Sequence, residues 1–204
     1  MLDSIEIARH LLAIKAIHLS PDDPFTWASG IKSPIYCDNR QIISYPELRK
    51  EITNTFVEYI KKQHTTVTCI AGTATAGIPH AALIADRMNL PLIYVRSSNK
   101  THGRQNAIEG HTSPDEKIIL IEDLFSTGGS SAAAADLLLE QGHDVLEIIS
   151  IFTYELDKLT KTFASKEYEY HSLSNITALL KVAVEDSLLT NEQAQEVKVF
   201  LKSL

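Results

Sequence analysis

A chain of 204 residues, 44% hydrophobic and 22% charged, can bury one compact core and has the ordinary make-up of a globular protein. Its net charge of −7 argues against a general nucleic-acid binder, which carries a basic surplus, but leaves room for a local basic patch. The two cysteines, Cys37 and Cys69, cannot build a disulfide framework; Asp3, Glu6, Arg9 and His10 interrupt any signal-like start, and no apolar run reaches about 18 residues, so a cytoplasmic protein with no membrane partner is expected.

Residues 2–17 set Ile5, Ala8, Leu11 and Leu12 on one helical face. Residues 22–45 mix prolines, glycines and polar residues with short apolar pieces such as Ile35-Tyr36, which predicts loop and short strands. Pro46 opens a helix over 46–62, with Ile52, Phe56, Tyr59 and Ile60 as its buried stripe. Strands are expected at 67–71, 92–95, 117–121 and 145–152. Helices are expected at 78–88 and at 129–141, the second closed by Gly142. Between them, residues 97–116 are polar and aperiodic, and a loop of that length in a compact domain is generally functional or disordered. The C-terminal part reads as mostly helical, with Thr190 and Gln193 as the capping box of a last helix to about residue 202. The alternation of apolar strands with helices implies an α/β fold, a mainly parallel central sheet with helices on both faces.

The most informative segment is 118–131. A buried apolar strand ends in Glu122-Asp123. Leu124 and Phe125 follow, then the small, hydroxyl-rich turn Ser126-Thr127-Gly128-Gly129-Ser130-Ser131, then a helix. Ligands of parallel sheets sit at the carboxyl ends of strands. Glycines let backbone N–H groups converge on an anion, and the helix N-terminus adds its dipole. A phosphate suits the turn, whereas the two acids suit the neighbouring hydroxyls of a sugar. A ribose 5-phosphate meets both demands, and carboxylates would also stabilise a cationic anomeric carbon. No Lys follows a glycine as in a Walker motif, and the glycine spacing is not that of a dinucleotide fold. The plain alternative is a strand end with a solvated acidic pair.

Two further segments suit anions. Thr73-Ala74-Thr75-Ala76-Gly77 follows a strand and opens a helix, and its small side chains allow close backbone approach, although a tight strand-to-helix turn needs the same residues. Arg96, Lys100, His102 and Arg104 occur with no acid before Glu109, a basic field suited to a diphosphate and, with Gly103, to a lid that excludes water. A solvated surface loop is the alternative.

The 118–131 string resembles the signature of the type I phosphoribosyltransferases, which bind 5-phospho-α-D-ribose 1-diphosphate (PRPP). The run Tyr94-Val95-Arg96, Lys100, His102-Gly103 and Ile108-Glu109-Gly110 resembles the catalytic loop of the orotate branch of that family. So does Phe25-Thr26-Trp27-Ala28-Ser29-Gly30-Ile31-Lys32-Ser33-Pro34-Ile35-Tyr36, which other branches lack. The segments 37–40 and 151–155 are similar to those of Gram-positive bacterial members, and the likeness spans roughly residues 2–180.

The resemblance implies a single phosphoribosyltransferase domain over 1–204, with a small hood from about 1–45 and the C-terminal part. It implies PRPP binding by Arg96, Lys100, His102 and residues 122–130, with Lys100, His102 and Asp123 as catalytic residues. The pyrophosphate falls to residues 73–77 and orotate to Ser126, Lys32 and Tyr36; Tyr36 reads equally well as a core tyrosine. It further implies Mg2+ held mainly by substrate and water, with no metal site of the protein's own, and a homodimer with shared active sites. The reaction implied is orotate plus PRPP giving orotidine 5′-monophosphate and pyrophosphate. The chain departs from its relatives at Ala28, Ala76 and Ser97, where lysines are common, and at Tyr154, where an arginine is common. The rivals are transfer to another base and a non-catalytic PRPP sensor or transcriptional regulator.

Overall fold

The computed structural model describes residues 1–26, 30–96 and 107–204. Helix α1 (Ser4–Ala13) starts in a capping box, Asp3 accepting from Glu6 N–H while Glu6 accepts from Asp3 N–H. It is shorter than its apolar pattern, because Lys15 turns left-handed at φ 58° and strand β1 (Ile17–Leu19) follows. The polar stretch after it holds three very short strands, β2 (Phe25–Thr26), β3 (Lys32–Ser33) and β4 (Ile35–Cys37). β1 pairs antiparallel with β4, and β2 with β3. A 3-10 turn (Asn39–Ser44) leads to α2 (Pro46–Gln63), whose Ile52, Phe56 and Ile60 are buried as expected while Tyr59 stays half-buried.

The main sheet comprises β5 (Cys69–Thr73), β6 (Leu92–Val95), β7 (Ile108–Glu109), β8 (Lys117–Phe125), β9 (Asp144–Thr153) and β10 (Tyr170–Asn175). Their order is β10-β9-β8-β5-β6-β7, parallel throughout except for β7. Helices α3 (Gly77–Met88), α4 (Gly129–Glu140), α5 (Asp157–Ala164), α6 (Ile176–Glu185) and α7 (Asn191–Lys202) complete the chain. Both faces are covered. Ile70, Ile119 and Ile121 meet α1, α2, α3 and α6 on one side, while Cys69, Ala71, Ile118 and Leu120 meet α4 and α5 on the other.

Two strands of the main sheet were absent from the sequence expectation, as was β1 outside it. β10 reads Tyr-His-Ser-Leu-Ser-Asn, too polar to signal a strand, yet it pairs with β9 along most of its length. β7 is only two residues long and caps the sheet edge antiparallel to β6. β8 also continues past Ile121 to Phe125, because Leu124 and Phe125 still pair with Phe152 and Thr153 of β9. That extension carries the acidic pair onto the sheet itself.

Close packing fixes the loops at the strand ends. A Cβ on Gly77 would lie 2.3 Å from the Ile121 carbonyl oxygen and 2.6 Å from Thr73 Oγ1, so α3 begins against the backbone of β8 only because position 77 is glycine. Gly128 has φ +76°, and a Cβ there would lie 2.8 Å from Leu159 Cδ1. At the far side, Ser174 Oγ of β10 donates to Ser4 O at 2.7 Å, and Arg9 of α1 forms ion pairs with Glu185 and Asp186 next to α6.

Candidate active site

The functional residues gather at the carboxyl end of β8 and its neighbours. Asp123, next to the buried Glu122, is half-buried where the strand reaches the sheet rim. The two acids have different surroundings. Glu122 Oε1 accepts from Asp123 N–H at 3.0 Å and Glu122 Oε2 accepts from Ser131 Oγ at 3.0 Å, so Glu122 braces the strand against α4. The Asp123 carboxyl, half-buried at the rim, is instead hydrogen-bonded to the Glu122 side chain and to its own backbone. Burial, and then the neighbouring Glu122 carboxylate, lift that carboxyl to about 7, while the Arg40 guanidinium pulls it the other way.

The turn that follows leaves the start of α4 without a side-chain cap. Phe125 turns its ring into the core against Phe163 and Tyr170, so it offers a ligand only its backbone. Leu124, Ser126 and Thr127 are half-buried, Gly128 is buried, and Gly129 and Ser130 are exposed. α4 starts at Gly128 with no side-chain cap, which leaves its first-turn N–H groups for an incoming phosphate. A side chain at the N-cap would compete for that place.

On the adjacent strand β5, Thr73 Oγ1 donates to the Ile121 carbonyl at 3.1 Å, and Ala74 N–H donates to Val95 O at 2.8 Å. The Ala74–Thr75 peptide is cis. α3 likewise begins without a side-chain cap, at Ala76, directly before Gly77. Residues 73–77 therefore present backbone rather than side-chain charge, one strand away from Asp123.

Arg96 ends β6 with its N–H on Ala107 O at 2.7 Å and its Nη1 2.9 Å from Glu109 Oε1. The basic segment thus leaves and rejoins the sheet at one closed pair. Lys100 and His102 lie outside the described residues. So do Ala28 and Ser97.

Across the rim, Lys32 and Tyr36 stand on β3 and β4, both exposed. Tyr36 is no core tyrosine: it is 40% exposed, its ring tilted against Phe25 with centroids 6.1 Å apart. Tyr154, following β9, is buried, and its N–H donates to Phe125 O at 3.1 Å. Burial, and then the nearby Cys37, Tyr36 and Asp123, keep its phenol protonated. Burial, then Asp123 and Asp38, push the Cys37 thiol well up, so it is no nucleophile at neutral pH.

Sequence reasoning gave no role to Asp38, Asn39 and Arg40. Asn39 is fully buried and its Nδ2 donates to the Asp123 carbonyl at 2.8 Å, joining the 3-10 turn to β8. Asp38 Oδ1 holds Arg40 Nε at 2.5 Å. A signal existed: three polar residues in succession directly after β4.

With this geometry in place, comparison with known proteins is specific. A model described as the phosphoribosyl transferase domain matches residues 39–187. An orotate phosphoribosyltransferase of Streptococcus thermophilus is 52% identical over 195 residues, 96% of this chain and 93% of its own length. One from Bacillus mycoides is 48% identical, over 97% of this chain and 94% of its own. Among solved structures, UMP synthase of Leishmania donovani superposes with TM-score 0.80 at 29% identity, over 98% of this chain and 42% of that one. Orotate phosphoribosyltransferase of Aeropyrum pernix gives 0.78 at 22% identity, over 90% and 99%, a likeness of fold. The acid-tipped strand, the uncapped glycine turn and these likenesses agree: the chain belongs to the phosphoribosyl transferase family, among the orotate phosphoribosyltransferases of Gram-positive type.

Proposed function

We propose that the rim of β8 seats PRPP, with the ribose hydroxyls on Asp123 and Glu122, the 5-phosphate in the 126–130 turn and the diphosphate over residues 73–77. As an orotate phosphoribosyltransferase, the chain transfers the 5-phosphoribosyl group from PRPP to orotate, giving orotidine 5′-monophosphate and pyrophosphate in pyrimidine biosynthesis. The observation that carries the assignment of groups is the Glu122-Asp123 carboxyl pair placed shortly before a helix N-terminus that has no side-chain cap.

In this reading the bond from the anomeric carbon to pyrophosphate oxygen breaks as the orotate ring nitrogen adds. The ribosyl centre becomes cationic in between, and the Asp123 carboxylate stabilises it. Arg96, Lys100 and His102 receive the charge of the departing diphosphate. Ser126 and the exposed Tyr36 flank the base, with Lys32 beside them. Mg2+ fits the hard oxygens of a diphosphate and the carboxyl chemistry of Asp123, and it supplies charge neutralisation for the leaving group. In this reading substrate oxygens and water would supply most of its ligands. Among the described residues no helix is long and apolar enough to cross a membrane. The hood formed by the first 45 residues and the C-terminal part closes over the base. The working form is a homodimer whose sites draw on both subunits.

The test is the fall in orotate absorbance on adding PRPP and Mg2+, with uracil, adenine and hypoxanthine as competing acceptors. Turnover of orotate alone, abolished by chelation and restored by Mg2+, is expected. Preferential turnover of a purine would overturn the assignment.

A further inference from the structure

Orotate carries a ring carboxylate that the other nucleobases lack, and it must enter a rim that is already acidic. Glu122, Asp123 and Asp38 all lie there, so an approaching carboxylate is repelled unless a cation receives it. Tyr154 is buried and neutral and cannot serve. Arg96 is turned to Glu109.

We propose that Arg40 receives the orotate carboxylate and so sets the preference for this base. Asn39 is pinned to the Asp123 carbonyl at 2.8 Å, which fixes the next residue beside the strand end that bears the reacting sugar. Asp38 then orients the guanidinium, accepting from Arg40 Nε at 2.5 Å and from Arg40 N–H at 3.3 Å. Only the inner edge of the guanidinium is used. Its two Nη groups make no hydrogen bond among the described residues, and the side chain is 62% exposed. Two parallel N–H donors are what a planar carboxylate accepts bidentately. The Arg40 charge acts on both Asp123 and Tyr36, one on each side of the proposed base position. Asp38 is therefore a positioning residue and Arg40 a specificity residue.

The inference rests on orotate lying between Tyr36 and the turn, as proposed above. The experiment is steady-state kinetics of R40A and R40K in both directions. R40A is expected to raise KM for orotate by about 10- to 100-fold, the scale of a lost charge-assisted pair. KM for orotidine 5′-monophosphate should rise in the reverse reaction, because the product keeps the carboxylate. KM for PRPP and for pyrophosphate should stay within about twofold, and R40K should lie between. An orotate KM within threefold of wild type, or a PRPP KM that rises in step with it, would overturn the role. Y36A separates the two claims. If it raises orotate KM while R40A does not, the base position stands and Arg40 is wrong. If neither does, the base position itself fails and the Arg40 role with it. K32A completes the comparison: an effect of K32A alone would transfer the role to Lys32.

Discussion

Asp123 holds its proton to about pH 7, chiefly through burial and then through Glu122. Its folded value lies above the unfolded one, so between about pH 4 and 7 the native state carries a proton that the unfolded chain has lost. Stability conferred by that proton is complete below about pH 4 and gone above about pH 7. Asp123→Asn removes the ionisation. After discounting for the half-open position, it should stabilise the ligand-free protein at pH 8 by about 1–2 kcal/mol, or a few degrees, with no gain at pH 4. Thermal unfolding at the two values checks this. The same variant should lose at least about 100-fold in turnover, because the ribosyl cation loses its carboxylate. A variant equally stable at both values and fully active would refute both statements. Above about pH 7 the ionised Asp123 thus disfavours the folded state.

Between elements, the tightest joint is that of α3 with β8. Gly77→Ala drives a Cβ into the Ile121 carbonyl, and neither backbone can retreat without breaking the pairing of β5 with β8. A loss of at least about 2 kcal/mol in denaturant unfolding is expected. Gly142→Ala meets open space and suffers only its φ of +85°, for about 1 kcal/mol. Ser131→Ala unties α4 from Glu122 and should cost about 1.5–3 kcal/mol, since it strips a buried carboxylate oxygen. Elements with strong periodicity were legible: α2 begins at Pro46, α7 begins in the Thr190–Gln193 box, and β6 runs from Leu92 to Val95 as its apolar pattern implies. The strand, turn and helix around residues 118–131 were legible because apolar run, acids and glycines follow one another locally. β10 was not, because a strand at the rim of a sheet is defined by its partner rather than by its own side chains. Asn39 was not legible either. Its partner carbonyl is 84 residues away, and no local pattern announces such a bond.

For the whole molecule, the proposed sharing of sites between two subunits has a quantitative test. One variant combines Lys100→Ala with His102→Ala, and the other Glu122→Gln with Asp123→Asn. Each alone should be nearly inactive. After unfolding and random reassociation of equal amounts, about half the dimers are mixed and half their sites intact, so activity should return to about a quarter of wild type. Mixed dimers without recovered activity would assign each subunit a complete site of its own. The clasp between α1 and α6 has a consequence for synthesis. Ser4 waits for Ser174, 170 residues later, and Arg9 for Glu185 and Asp186. A ribosome emits the chain from the amino end, so the first helix emerges long before these clasp partners exist. The strand carrying Asp123 can pair with β5 while α1 is still unanchored. On the nascent chain β8 thus precedes the clasp, which closes only after β10 and α6 have left the tunnel.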